Sequence, residues 1–396
     1  MIKKNFAYMI LALVFVALIG AGFLRGAKHE VSRIKEVRTE NPSAGIRDII
    51  DRNATEDNFA TGPFKERDLI DLNGAMAKRV GMRGYYSDLG ILAADNDYLV
   101  TIYPKTTTDF EYKQVVSFMK WCHKHNIKML YVNKPTKYPT DEEMTKEFGI
   151  ETFSNRNADK LMKRLRAADV PVVDLRDYIE EDGLTTWELF YRTDHHWTTK
   201  ATLWAAPKIM KGLNDYCGYD IDLSIYDKKN YNFKEFKNCW LGEQGRKLGM
   251  SYTGLDDFTE ITPKFPTHYT FKSEDGDFDG DFMGFINQDR FDTKMDIYEN
   301  TSWHYGYKLM DCINHDAKQG KVLLLGDSFE QTLDSFISLG VHELDVMMRR
   351  DHGRKYDLRG YILKHGYDTV IISYAQLMIG AHDDPKSTNG KMFILK

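Results

Sequence analysis

The chain is poor in cysteine and has no excess of charge of one sign. Its four cysteines are far apart and form no Cys-x-x-Cys pair, so a structural zinc site is not expected. One or two disulfide bonds remain possible, but the sequence does not pair the cysteines. Basic residues number 54 and acidic residues 59, with both signs interspersed. This near balance gives no sign of a nucleic-acid partner, and no internal repeat is evident.

Long apolar runs are also scarce, apart from one at the N-terminus. Residues 6–24, FAYMILALVFVALIGAGFL, are 19 residues without a charge, close to the length that spans a bilayer. Residues 1–27 are therefore predicted to be an uncleaved single-pass signal anchor, with a cleaved signal peptide as the alternative. The polar residues 28–62 are predicted to be a stalk. Lysine and arginine counts alone would leave the large domain inside the cell, but long domains can cross the membrane despite such counts.

Residues 63–396 are predicted to be one globular domain. At its start, Leu69, Leu72, Met76 and Val80 have the spacing of one apolar helix face. Helical and strand patterns then alternate, which predicts an α/β fold with a central, mostly parallel sheet. The predicted helices cover 110–125, 157–169, 199–216 and 330–339, and the predicted strands cover 127–135, 170–175, 321–328, 341–348 and 367–374. Residues 217–315, rich in Gly, Asp, Tyr and Phe, are predicted to be an insertion of short strands and loops.

A glycine, an acid and a hydroxyl end one of the buried strands. The sequence GDSF places Ser328 at the carboxyl end of that strand and just before a helix. Ligands of open parallel sheets bind beyond such strand ends, and a helix N-terminus favours a developing oxyanion. Gly326 would let the backbone turn sharply. Ser328 is thus a candidate nucleophile, although a serine at this point could equally be a helix N-cap.

A serine nucleophile needs a base and an acid that orients the base, and TDHHWT offers both. Asp194 and His196 are two residues apart, so in an extended loop they face the same side, and His195 is expected to point elsewhere. A competing interpretation makes Asp194 or Thr198 the N-cap of the helix that follows.

Other polar residues at strand ends are weaker candidates. Asn133 and Lys134 close the strand before Pro135, and Tyr374 closes the last strand. Together with Gly326 they are tentative oxyanion or substrate-binding residues, because the carboxyl ends of neighbouring parallel strands line one cleft.

No metal or other cofactor is expected. Zinc bound by Asp194, His195 and His196 is a minor alternative, because adjacent histidines rarely aim both rings at one ion. The acidic stretch SEDGDFDGDF has the order of a calcium loop, but Ile286 stands where that loop needs a glutamate, so a solvated acidic turn is favoured.

Together, TDHHWT and LLLGDSF resemble the DHHW family and the related alginate O-acetyltransferase proteins AlgX and AlgJ, which are SGNH-hydrolase-like. The resemblance implies a three-layer α/β fold. It also implies catalysis by Asp194, His196 and Ser328, in an order permuted relative to ordinary SGNH esterases. The implied function is O-acetyl transfer to a cell-surface or exported polysaccharide. A membrane-bound O-acyltransferase would supply the acetyl group to a membrane-anchored, extracytoplasmic domain. A glycan O-acetylesterase and a non-catalytic glycan-binding or assembly protein are the alternatives.

Overall fold

The computed structural model describes residues 66–82, 84–86, 90–273, 276–285, 312–352 and 357–396, with residue 297 and scattered residues between 20 and 39. The predicted anchor lies almost wholly outside the described residues, as does most of the predicted stalk. Within the part that is described, no helix combines the length and the apolar character needed to cross a bilayer. The chain divides into a small unit, Met1–Met82 with Arg246–Thr253, and a large unit, Arg83–Gly245 with Gly254–Lys396.

Helices and strands alternate through most of the described chain. The strands are β1 Gly84–Tyr86, β2 Ile91–Ala93, β3 Leu99–Val100, β4 Lys128–Lys134, β5 Val172–Asp174, β6 Tyr231–Trp240, β7 Asp256–Pro263, β8 Tyr269–Ser273, β9 Gly276–Gly280, β10 Cys312–Asn314, β11 Lys321–Gly326, β12 Glu343–Met348 and β13 Thr369–Ala375. The α-helices are α1 Glu66–Arg79, α2 Asp109–Lys124, α3 Asp141–Phe148, α4 Ser154–Arg166, α5 Thr186–Leu189, α6 Thr199–Cys217, α7 Glu243–Leu248, α8 Met250–Thr253, α9 Phe282–Phe285, α10 Glu330–Ser338, α11 Arg349–His352 and α12 Leu358–His365.

The large unit is built on a mixed sheet. Among the described residues this sheet has eight strands in the order β5-β4-β13-β11-β12-β10-β8-β9. The first five are parallel to one another, whereas β10, β8 and β9 continue the sheet in antiparallel pairs. The sheet is therefore parallel from β5 to β12 and antiparallel from β12 to β9. The antiparallel strands come from residues 217–315, so that interval extends the sheet that carries the site.

Helices cover both faces of the sheet. Side chains of β11 alternate between the faces, as a strand dictates: Val322 and Leu324 join one apolar cluster, and Leu323 and Leu325 join the other. Helices α6 and α10 contribute to the first cluster, and α2, α4 and α12 to the second. The predicted α/β fold is confirmed, with the sheet as the middle of three layers.

The small unit places its apolar residues differently from the prediction. Helix α1 forms, but Leu69, Leu72 and Met76 are 48%, 46% and 47% exposed. The opposite face of α1 is the packed one, because a Cβ on Gly74 would lie only 2.3 Å from the Leu248 carbonyl oxygen. Close backbone approach through a glycine, rather than burial of the apolar row, holds α1 against its neighbours in this unit.

The cysteines do not pair. No disulfide joins the four of them, and Cys122, Cys217 and Cys312 are buried at separate places in the interior.

Candidate active site

The loop that carries TDHHWT is closed by its own ends. Phe190 and Trp197 form a β-bridge, and Tyr191 N–H donates to the His196 carbonyl. Between them the backbone bends at successive residues instead of running extended. Thr198, not Asp194, caps helix α6, because its hydroxyl accepts from Ala201 N–H. The Asp194 carboxylate is therefore left for other partners.

Asp194 and His196 form a hydrogen-bonded pair. Asp194 Oδ1 lies 2.6 Å from His196 Nδ1 and also accepts from His196 N–H at 2.8 Å. The remaining ring nitrogen of His196, Nε2, is buried and has no hydrogen-bond partner among the described residues. A carboxylate on Nδ1 favours the tautomer with its proton on Nδ1, which leaves Nε2 able to accept one. This is the arrangement of a general base and the acid that orients it.

The protein holds Asp194 in its ionised form. Burial opposes ionisation, but His196, His195 and the Glu243 N–H outweigh it and hold the pKa of Asp194 well below its usual range. The Glu243 N–H donates to Asp194 Oδ2 at 2.6 Å. Both carboxylate oxygens are thus engaged, which fixes the orientation of the carboxylate as well as its charge.

Residues from the predicted insertion brace this loop. Asp256, at the start of β7, accepts from Arg192 N–H at 3.0 Å and from Thr193 N–H at 2.8 Å. The Thr193 hydroxyl donates to the same carboxylate and accepts from Gly242 N–H. A Cβ on Gly242 would lie 2.3 Å from that of Asp194, so only glycine allows this approach. No local sequence pattern points to Gly242 or Asp256, because both contacts are long-range.

The Ser328 turn adjoins the Asp194–His196 pair. The ring of Phe329, the residue after Ser328, lies 5.1 Å from the His196 ring, and Trp197 Nε1–H donates to the Phe329 carbonyl at 2.9 Å. The N-cap position of α10 is Phe329, not Ser328. The carboxylate and carbonyl of Asp327 accept the Phe329 and Glu330 N–H groups. Asp327 therefore caps the start of α10, and the nucleophile role of Ser328 stays a prediction.

A buried charge network lies under this turn. Lys134 Nζ donates to Asp327 at 2.9 Å, to Glu330 at 2.5 Å and to the Ser373 carbonyl at 3.0 Å. All three charged side chains are fully buried. Gly326 lets Glu330 reach the network, because a Cβ on Gly326 would lie 2.2 Å from Glu330 Cγ. Lys134 was a tentative ligand-binding residue, but the structure gives its three donors to the protein itself.

Glu330 and a further acid, Asp334, have shifted pKa values in this interior. Burial raises the pKa of Glu330, and burial together with Glu330 raises the pKa of Asp334 well above its usual range. Neither carboxylate oxygen of Asp334 has a hydrogen-bond partner among the described residues. This interior therefore shifts Glu330 and Asp334 toward their neutral forms.

Two other tentative residues point into the protein. Tyr374 belongs to the apolar cluster on the face of the sheet opposite Phe329, and its hydroxyl donates to the Met392 carbonyl. The Asn133 amide donates to Asp174 at 2.9 Å, while its Oδ1 is buried without a partner among the described residues. The structure does not bring Tyr374 to His196, and the oxyanion role of Asn133 stays a prediction.

The Asp-His-His sequence does not have the spacing of a metal site. Potential ligand atoms of Asp194, His195 and His196 lie within 4.8 Å of one another. However, two ligands of one tetrahedral zinc, each about 2 Å from the ion, are separated by more than about 3 Å. Asp194 Oδ1 and His196 Nδ1 are 2.6 Å apart, which fits a hydrogen bond and leaves no lone pair on that nitrogen.

His195 does not point away from the site, contrary to the expectation from residue alternation. Its ring centroid is 3.9 Å from that of His196, because the bent backbone of the loop removes the alternation of an extended strand. His195 lines a cleft together with Phe329, Lys137 and Gln244. The two adjacent histidines in the sequence were the signal that could have placed His195 at the site.

Lys137 is a second residue of the cleft that was not among the predicted site residues. Its Nζ donates to the Leu99 carbonyl at 2.5 Å, to Gln244 Oε1 at 3.1 Å and to the Arg192 carbonyl at 3.4 Å. Burial lowers the pKa of Lys137 to about 7, against the opposing effect of Asp194. The side chain joins β3 and helix α7 to the loop that carries TDHHWT.

The fold is an α/β domain, and the Asp194–His196 pair marks its candidate active site. Residues 103–227 match the family model described as "SGNH hydrolase-like domain, acetyltransferase AlgX". No curated protein matches the chain in sequence.

The similar solved structures include Bacillus cereus PatB1, at 18% identity and a TM-score of 0.57, covering 77% of this chain and 99% of that one. They also include a DHHW family protein from Eubacterium siraeum, at 13% identity and a TM-score of 0.51, covering 74% and 92%. Pseudomonas putida AlgJ follows at 11% identity and a TM-score of 0.44, covering 78% and 99%. The resemblance to the DHHW and alginate O-acetyltransferase proteins is confirmed. At these identities, PatB1 and the DHHW family protein show a shared fold alone.

Lys134→Met is expected to lower the free energy of unfolding by about 3–5 kcal/mol, because it leaves buried acids without their cation. Urea denaturation measures the change. Lys200→Met is the matched control, since Lys200 pairs with Glu235 but is 51% exposed, and a change below about 1 kcal/mol is expected there. Equal losses in the two variants would contradict the network.

Lys137→Met is expected to alter how stability depends on pH. The pKa of Lys137 is about 7 in the folded state, below the value of about 10.4 in an unfolded chain. Between these values the unfolded state binds the extra proton, so the wild type gains stability relative to the variant as pH rises. Urea denaturation at about pH 7 and 9.5 is expected to show a gain of about 1–3 kcal/mol. A difference that stays constant with pH would contradict it, with Lys200→Met controlling for the general effect of alkali.

Proposed function

We propose that this chain is an O-acetyltransferase that modifies a cell-surface or exported polysaccharide through an acetyl-serine intermediate on Ser328. The observation that carries the proposal is the buried Asp194–His196 pair. His196 Nε2 has no hydrogen-bond partner among the described residues, and the His196 ring lies 5.1 Å from the ring of Phe329, the residue after Ser328. A capping serine needs no such base, and a glycan-binding scaffold has no use for an ionised, buried acid that orients an imidazole.

Each residue has a defined task in the proposed reaction. Ser328 Oγ attacks the acetyl carbonyl carbon of the donor while its proton passes to His196 Nε2. Asp194 stabilises the imidazolium and holds the ring in place. Oxyanion stabilisation falls to the Ser328 N–H, with Gly326 permitting the turn and Asn133 as a further candidate. As the bond from the acetyl carbon to the donor's leaving group breaks, His196 gives that leaving group the proton it took from Ser328. His196 then takes the proton of the acceptor hydroxyl and returns it to Ser328 Oγ as the acetyl group leaves.

Two findings on similar proteins support acyl transfer. Residues 103–227 match a family model whose description names an acetyltransferase. One of the solved PatB1 structures carries a sulfonyl adduct. Sulfonyl fluorides react with activated serine hydroxyls, so the same reagent can test Ser328 in this chain.

Ser328→Ala, in the full chain purified in detergent, is expected to lose the burst of p-nitrophenol from p-nitrophenyl acetate. The loss should be at least about 10³-fold, because the nucleophile is removed. Phenylmethylsulfonyl fluoride is expected to add one label to the wild type and none to Ser328→Ala, by intact-protein mass spectrometry. Ser117→Ala, which removes an exposed hydroxyl on α2, is the matched control and should retain both the burst and the label.

The identity of the acceptor decides between transfer and hydrolysis. With an oligosaccharide present, a gain of one acetyl mass on the sugar indicates transfer. Loss of acetyl groups already on the sugar, without any gain, indicates an esterase. A burst that persists in Ser328→Ala would exclude the serine mechanism for both.

We further propose that residues 6–24 anchor the chain in the membrane, with the catalytic domain on the extracytoplasmic side. A membrane-bound O-acyltransferase would then deliver the acetyl group from the other side. The uncharged run of 19 residues supports the anchor, and a substrate outside the cell supports the orientation.

Protease added to sealed right-side-out membrane vesicles is expected to degrade the domain and leave a short membrane fragment. Inside-out vesicles should protect the domain until detergent opens them. Protection in right-side-out vesicles would show that the orientation is wrong, and release of the intact chain by alkaline carbonate would show that the anchor is absent.

A further inference from the structure

A second imidazole stands beside the proposed general base. The ring centroids of His195 and His196 are 3.9 Å apart, and the ring planes are tilted by 38°. His195 lines the cleft with Phe329 and Lys137. Its side chain is 26% exposed, against 19% for His196. His195 is thus the imidazole that lines this cleft, with His196 directly beside it.

Two carboxylates lie near the Nδ1 edge of the His195 ring. Its Nδ1 lies 3.6 Å from Asp194 Oδ1 and 3.5 Å from Glu243 Oε2. Both favour the tautomer with the proton on Nδ1, so Nε2, at the opposite edge of the ring, carries a lone pair. Burial and the neighbouring His196 lower the pKa of His195 to about 4, which keeps the ring neutral at neutral pH. His195 thus offers a hydrogen-bond acceptor next to that of His196.

We propose that His195 binds a second hydroxyl of the acceptor, adjacent to the one that is acetylated, so that the site selects sugars with a free vicinal diol. This inference rests on the proposed function. Vicinal hydroxyl oxygens on a sugar ring are separated by about one hydrogen-bond length, and two neighbouring imidazoles can each accept from one of them. The residue fixes which hydroxyl lies against His196 and takes no part in the covalent steps.

Every proton in the transfer step has a defined donor and acceptor. The acceptor oxygen attacks the carbonyl carbon of acetyl-Ser328, and its proton passes to His196 Nε2. The tetrahedral intermediate collapses by breaking the bond from that carbon to Ser328 Oγ, and Oγ recovers the proton from His196. Throughout, the adjacent hydroxyl keeps its proton and donates a hydrogen bond to His195 Nε2.

A competition between two small acceptors tests the proposal on the full chain in detergent. The acceptors are trans-1,2-cyclohexanediol and cyclohexanol, at equal concentrations in one tube, with p-nitrophenyl acetate as the donor. Both draw on the same acetyl-enzyme, so the ratio of acetylated products, counted per hydroxyl group by mass spectrometry, does not depend on how fast that intermediate forms. The wild type is expected to favour the diol about fivefold, as the net effect of one neutral hydrogen bond.

Variants of His195 show whether this residue is responsible. His195→Phe keeps an aromatic ring but has no acceptor, and the product ratio is expected to fall to about 1, since no hydrogen bond remains. His195→Asn, whose amide is too short to reach as far as Nε2, should behave in the same way. His195→Gln, whose amide reaches further and carries an acceptor oxygen, is expected to restore part of the preference.

The outcomes separate the two proposals. Equal use of the two acceptors by the wild type, including no use of either, overturns the vicinal-diol inference. A preference that persists in His195→Phe overturns it as well, and His195→Asn gives the same test if the Phe variant does not fold. If acetylated products still form with Ser328→Ala, the proposed function fails. If that variant forms none but the wild type shows no diol preference, only the present inference fails.

Discussion

The Asp194 carboxylate is the point on which the site depends. One of its oxygens holds the His196 ring and backbone, and the other accepts the Glu243 N–H from the start of helix α7. A buried carboxylate is stable as a charge only when its oxygens are satisfied in this way. Its pairing with His196 fixes the ring, and its nearness to His195 orients the second imidazole. The loss of this one charge would release two rings and two loops together.

The loop that presents Asp194 is held in place by packing from distant parts of the chain. Asp256 and Gly242 lie 64 and 49 residues from their partners Arg192 and Thr193. A helix or strand displays its side chains by its own geometry, but a bent loop must be shaped by its neighbours. The interval after α6, which sequence patterns describe only as irregular, thus supplies both sheet strands and the support for the site. This division of labour places the chemistry on a loop and the rigidity in its surroundings.

Sequence periodicity predicted the helices and strands of the α/β core well, because apolar side chains repeat with the geometry of each element. It also brought together Asp194 and His196, which are close in the chain. Sequence periodicity did not predict where the side chains of Tyr374 and Lys134 lie. Both end parallel strands at the same edge of the sheet, but which face of the sheet each side chain occupies is a property of the assembled sheet.

His195 and helix α1 show two further limits of pattern reasoning. Alternation placed His195 away from His196, and it failed because the backbone from 192 to 196 bends at each residue. The apolar row of α1 predicted a buried face, yet Gly74 sets the packed face by allowing a backbone to approach. In both cases a local pattern was correct as a description of the sequence, and long-range contacts decided the outcome.

The buried network under the Ser328 turn has an evolutionary consequence. Lys134, Asp327 and Glu330 lie on three different elements or turns, and the Lys134 ammonium is the buried cation that both acids contact. A change at one of these positions is therefore expected to be harmful until a second change compensates for it. Among relatives with this fold, the lysine and at least one of the acids should be inherited or lost together, as a set that covaries across the whole length of the domain.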